Sequence, residues 1–110
     1  MNFSQELVKG SIVPVVLKLL KERPMYGYEI VKVVKNRTGG RFEWKEGTLY
    51  PALHRLQAQG LVKAKWETAP SGKRRKYYYL TRKGHQALTV RLAELREFSV
   101  ALNAIAFAGA

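Results

Sequence analysis

One stretch, Gly47 to Gly60, limits what this chain can fold into more than any other. Its leucines at 49, 53 and 56 recur at helical spacing and leave a polar, partly basic opposite face. The segment therefore reads as a helix with one side in a core and the other free for a partner. Thr48 suits the N-cap, which sets Pro51 in the first turn where no N–H is missed, and Gly60 supplies a left-handed stop. Beyond it, Leu61 to Glu67 alternates apolar and polar residues, Pro70-Ser71-Gly72 forms a turn, and a second strand ends at Tyr77-Tyr78-Tyr79-Leu80. Helix, strand, basic turn, strand is the layout of a winged helix. Val62, Ala64 and Trp66 should share a buried face with Tyr78 and Leu80, leaving Lys63, Lys65, Glu67, Tyr77 and Tyr79 outward.

The segments before this unit supply its support. Ser4 to Lys9 forms at most a short amphipathic turn, after which Ser11 caps a helix with Pro14 in its first turn and Ile12, Val15, Val16, Leu19 and Leu20 on more than one face. Met25 to Ile30 opens a second helix with Ile30, Val33 and Val34 inward, Lys32, Lys35 and Arg37 outward, and Gly39-Gly40 as its stop. Phe42 and Trp44 in the link to the next helix alternate like a short strand or an extended packing segment. Two helices so joined, the second with an exposed polar face, match a helix-turn-helix whose second helix enters the major groove.

Charge narrows the partner. The chain of 110 residues carries 20 Lys and Arg against 8 acids, all Glu, for a net charge of +12. Its pI near 10.2 points to a polyanion. Eight of the basic residues fall between positions 61 and 83, with Glu67 the one acid there, so the excess gathers on the hairpin rather than along an amphipathic helix, which argues against a membrane surface. The longest apolar run, Ile12 to Leu17, is too short for a span of about 20 residues, and neither a transmembrane helix nor a signal peptide is expected. With no cysteine, disulfides and thiolate metal sites are excluded and a cytoplasmic location is favoured.

An enzyme is not expected. His54 and His85 lie in separate elements with no Cys, no Asp and no paired nucleophile and base, and the same inventory leaves no metal site and no cofactor site. Base edges should instead meet Lys45, Thr48, Tyr50, Pro51, His54 and Arg55, at the N-terminal end or on the outward side of the helix. Phosphates should meet Lys73, Arg74, Arg75 and Lys76 of the hairpin turn and Tyr28 of the second helix. From Thr81, a last helix runs toward Ala108 for roughly 40 Å, longer than a small core can cover. Leu88, Leu92, Leu95, Phe98, Leu102 and Ile105 give it a seam at coiled-coil spacing, which implies a homodimer, although its first half should also pack on the chain's own first helix.

With those residues in place, the sequence resembles the PadR-like family of bacterial winged-helix transcription regulators. The matching segments are Met25 to Ile30, Gly47 to Leu56, Gly60-Leu61-Val62 and Gly72 to Gly84, with Tyr26 standing where members often carry His. The resemblance implies an α+β, mostly α chain: a winged helix-turn-helix with a two-stranded antiparallel wing over residues 1–80 and a dimerisation helix over 81–110. It also implies a homodimer that represses transcription from a pseudo-palindromic site on double-stranded DNA, released in some members by small aromatic or cationic compounds. A hydrophobic effector is expected to wedge between the paired long helices near Phe98 and Ser99. The runner-up is a basic winged helix that binds RNA or another protein, because shape and charge alone do not single out duplex DNA.

Overall fold

In a computed structural model, which describes residues 3–109, the helix-strand-turn-strand unit sits on two further helices. The described elements are α1 (Gln5–Glu22), β1 (Met25–Tyr26), α2 (Gly27–Arg37), α3 (Glu46–Ala58), β2 (Val62–Thr68), β3 (Arg74–Leu80) and α4 (Arg82–Ala106). The fold is mostly helical with one antiparallel sheet, as expected of a winged helix.

The first helix starts earlier than its sequence suggests. Ser4, not Ser11, is the N-cap, accepting a bond from the Leu7 N–H, while the Ser11 hydroxyl donates to Val8 O at 2.6 Å from inside the helix. Pro14 thus lies mid-helix, and the carbonyl it deprives of a partner belongs to Gly10, a residue with open space around it. The apolar set Ile12, Val16, Leu17, Leu19 and Leu20 is buried, and it forms the floor of the core.

Two helices end in the same way. At α2, Gly40 N–H bonds Lys35 O and Gly39 N–H bonds Asn36 O, with both glycines at positive φ. At α3, Leu61 N–H bonds Leu56 O and Gly60 N–H bonds Gln57 O. Both are Schellman stops, and the second places Leu61 against the helix it leaves before the chain turns into β2.

The sheet holds one strand that the sequence did not announce. Met25 and Tyr26 do not open α2; they pair antiparallel with β3, Met25 opposite Tyr78 and Tyr26 opposite Tyr77, so the strand order is β1-β3-β2. The wing hairpin itself runs from Val62 opposite Leu80 to Thr68 opposite Arg74. Tyr78 is buried at the centre of the sheet, against the core. Trp66 shares the face of Val62 and Ala64 but is 61% exposed, because its cross-strand partner, Lys76, already lies past the edge of the core.

Thr81 caps α4 as expected: its Oγ1 accepts from Gly84 N–H at 3.0 Å. The helix can sit this close to the α3 exit only because residue 84 is glycine, since a Cβ there would collide with the Leu61 carbonyl oxygen. Gly84 and Leu88 are buried, and α4 packs on α1 there. From Leu92 onward the apolar residues are exposed, and the molecule reaches 56 Å in its longest dimension. No helix among the described residues is long and apolar enough to cross a membrane.

Candidate nucleic-acid interface

The outward face of α3 is built by burying its other side. Leu49, Ala52, Leu53 and Leu56 close against the core, which is worth about 1.5–3 kcal/mol for each leucine. That leaves Lys45, Thr48, Pro51, His54 and Arg55 exposed together along one side. The helix begins at Glu46 with Lys45 as N-cap, so Thr48 is not the cap and stands inside the first turn, and Pro51 falls in the second turn, where it frees the Gly47 carbonyl. The earlier start follows from Trp44, which is buried just before it and anchors the entering chain, stacked 6.5 Å from Phe42. Glu46 at the first helical position also suits the positive end of the helix dipole. Phe42 and Trp44 form an extended packing segment and no strand.

Tyr50 differs from its neighbours on this face. Its ring is half-buried against the start of α2, where a Cβ on Gly27 would come within 2.6 Å of the phenol oxygen. The two residues interlock, so the ring sets the angle between α2 and α3 and offers only one edge outward, beside the His54 ring at 6.5 Å. Burial chiefly, and then the Glu46 charge, push the Tyr50 hydroxyl pKa up, with Arg75 pulling the other way. The hydroxyl stays protonated near neutral pH and remains a donor. Nothing in the sequence marked Gly27 for this task except a small residue among large ones.

The four cations of the wing divide into two pairs. Lys73 and Arg74 are exposed at the turn. Arg75 is folded back, its guanidinium 4.5 Å over the Tyr26 ring and its Nε buried without an acceptor, and Tyr26 in turn meets Tyr77 edge to face at 5.5 Å. Lys76 is half-buried, 5.8 Å over the Tyr78 ring. Arg75 and Lys76 are therefore engaged by the sheet, and the turn's unengaged charge is carried by Lys73 and Arg74. On the outer sheet face Lys63 and Lys65 flank the Tyr79 ring at 5.9 and 5.2 Å, and Tyr79 donates its hydroxyl proton to Glu67. That bond above all raises the Tyr79 pKa, whereas burial raises that of Tyr77. Tyr28 projects from the first turn of α2 at 49% exposure with Lys32 5.6 Å over its ring.

The seam residues of α4 also divide. Leu88, expected in a dimer seam, is 2% exposed inside the chain's own core and is not free for a partner chain. Leu92, Leu95, Phe98, Leu102 and Ile105 are exposed, Ile105 at 85%. At the expected effector position Phe98 is 62% exposed, and Asn103 donates to the Ser99 carbonyl at 2.7 Å. A cavity of about 510 Å³ opens elsewhere, beside the N-terminal half of α3. His54 and His85 stand on α3 and α4, and no group of three or more metal-ligating side chains occurs among the described residues.

The fold recurs among known proteins. The family model described as the transcriptional regulator PadR-like family matches residues 16–90. A Lysinibacillus sphaericus protein described as uncharacterized protein X is 34% identical over 92 residues, 84% of each chain. The Escherichia coli transcriptional regulator YqjI is 35% identical over 79 residues, which are 72% of this chain but 36% of that longer protein. Among solved structures, a transcriptional regulator from Clostridium thermocellum superposes with a TM-score of 0.85 at 30% identity, covering 94% of this chain and 97% of that one. A PadR family transcriptional regulator from Eggerthella lenta gives 0.81 at 33% identity, with 94% and 88% covered.

Proposed function

This chain belongs to the PadR-like family of transcriptional regulators, and we propose that it represses transcription as a homodimer bound to a pseudo-palindromic operator in double-stranded DNA. The observation that carries the reading is the outward row Thr48, Pro51, His54 and Arg55, fixed on a helix whose other side is buried. A rigid row that sets the Thr48 hydroxyl, the His54 imidazole and one guanidinium beside the apolar Pro51 ring suits the edges of bases in the major groove. Lys45 at the head of α3 joins that row at the bases, Tyr28 on α2 and Lys73 and Arg74 on the wing take phosphates on either side, and Tyr50 contributes its edge while holding the helix angle. Arg75 and Lys76 serve mainly to stiffen the hairpin that presents the other two.

Residues 1–80 read DNA in this scheme and residues 81–110 join two copies, although the first turns of α4 pack into the DNA-reading half. The exposed stripe from Leu92 to Ile105 supports the pairing, since a second copy of the same stripe would cover it. Two copies so joined set their α3 helices about 34–36 Å apart, one turn of DNA. A hydrophobic or aromatic effector between the paired helices near Phe98 and Ser99 would favour a spacing that fits DNA poorly, and so release the operator. The work is done on cytoplasmic DNA and involves no catalysis.

Selection of bound duplexes from random DNA tests this reading. A two-fold symmetric site should emerge, and Arg55→Ala should weaken binding to it by about 1–3 kcal/mol while relaxing one or two base positions. Enrichment of no duplex, or a clear preference for RNA competitors, would overturn it.

A further inference from the structure

One large apolar side chain of the wing has no partner inside the molecule. Trp66 is 61% exposed, just past the edge of the core, on the side of the sheet where α3 packs. Lys76, directly across the hairpin from it, leans back over the Tyr78 ring at 5.8 Å and leaves the indole open. The Trp66 Nε1–H makes no hydrogen bond among the described residues. Toward the turn, the next cross-strand pair, Thr68 and Arg74, is also exposed, and Lys73 follows it. The hairpin's one carboxylate, Glu67, alternates to the opposite face, where it accepts the Tyr79 hydroxyl proton. An uncovered ring with a free donor therefore stands beside two unengaged cations.

The cations select a polyanion, and the ring asks that polyanion for apolar surface and an acceptor. The minor groove of a duplex supplies all three, with phosphates along its rims, deoxyribose C–H groups along its walls, and adenine N3 and thymine O2 on its floor. A G·C pair adds the guanine 2-amino group to that floor, where it sets a donor against a donor. We propose that Trp66 enters the minor groove beside each half-site and reads A·T against G·C there, with Arg74 and Lys73 on the phosphates at its rim. The wing then carries sequence information as well as charge. This assignment rests on the DNA-binding reading and goes beyond it by placing a second base reader outside α3.

Selection from random duplexes should return A·T pairs outside the two half-sites that α3 reads, and Trp66→Ala should lose them. Base analogues separate the grooves. In the selected duplex, 2,6-diaminopurine·T at those outer pairs adds the 2-amino group to the minor groove and leaves the major-groove edge of A·T in place. It should weaken binding of the full-length chain about ten-fold, or about 1.4 kcal/mol. Inosine·C, which is G·C without the 2-amino group, should bind as A·T does. Trp66→Ala should bind all of these duplexes alike and keep its urea midpoint, since the indole is exposed. Arg74→Ala should weaken every duplex and preserve the ten-fold ratio. If the unsubstituted chain ignores the 2-amino group, or if the ratio survives Trp66→Ala, the indole is not a reader; Arg55→Ala still judges α3 at its own base pairs. Binding of no duplex at all would overturn both. Weaker self-association of DNA-free Trp66→Ala, with the ratio kept, would give the indole to a second copy and overturn the assignment.

Discussion

α3 and α4 carry leucine stripes of the same kind, and the molecule treats them in opposite ways. The stripe of α3 is buried along its whole length by α1, α2 and the sheet, whereas that of α4 is covered only as far as Leu88 and then runs bare from Leu92 to Ile105. The difference is one of length. Thirteen residues of α3 fit over the core, and twenty-five of α4 overshoot it. An apolar period says that a face needs covering; it does not say whether the cover is intramolecular.

The contrast breaks most directly by truncating one leucine in each stripe. Leu53→Ala should lower folding stability by about 2–5 kcal/mol at any protein concentration, as loss of a fully buried side chain does. Leu95→Ala should leave the dilute chain nearly as stable and lower the urea midpoint only at concentrations where the unsubstituted chain pairs, so that the midpoint depends less on concentration. Equal losses in both variants, independent of concentration, would mean that α4 is covered within one chain.

A second experiment sharpens what holds α3 at its angle. Gly27→Ala should cost about 1–3 kcal/mol, because the new methyl meets the Tyr50 ring, and Tyr50→Ala added to it should return part of that loss. A double-mutant cycle in urea reads the coupling, and simple additivity would dissolve the interlock. On the wing, replacing Lys73 or Arg74 by Ala should lower the log–log salt slope of DNA binding by about 0.9 for each phosphate left unneutralised. Arg75→Ala should leave that slope nearly unchanged and lower thermal stability by about 0.5–1 kcal/mol, the worth of its stack on Tyr26.

The smallest effect concerns the ion pair between the C-terminal ends of α1 and α2. Arg37 donates to both Glu22 oxygens, at 2.9 and 2.6 Å, and this bond chiefly holds the Glu22 carboxyl below its ordinary pKa. A carboxyl held low in the folded chain adds stability above its unfolded pKa and loses it as acid carries the pH down through the folded value. Arg37→Gln should therefore reduce the urea midpoint slightly at pH 7 and not at pH 3. A loss of equal size at both values would assign Arg37 a packing role instead.

Several elements were legible because the signal for them is local. The leucine period of α3, the alternation of β2, the Gly39-Gly40 and Gly60 stops and the Thr81 cap each depend on a few neighbouring residues. The misreadings share a different cause. Pro14 looks like a first-turn proline, yet α1 already starts at Gln5, since Ser4 caps it there. Met25-Tyr26 is too short to show any period and becomes a strand only by meeting β3, far along the chain. Trp66 follows the buried alternation and still faces water, because alternation chooses a face of a strand and not where the core beneath it ends.

The candidate interface divides along the same line. The outward row of α3 and the basic turn were visible as residue types at a spacing, and residue order was enough to specify a helix, a basic hairpin and a long last helix in succession. Three-dimensional packing was needed to wedge Tyr50 on Gly27, to lay Arg75 on Tyr26 and to draw Leu88 into the core. Periodicity and capping are set by the backbone within one or two turns, whereas the task left to a side chain depends on which distant surface reaches it first, and packing between segments far apart in the chain sets that.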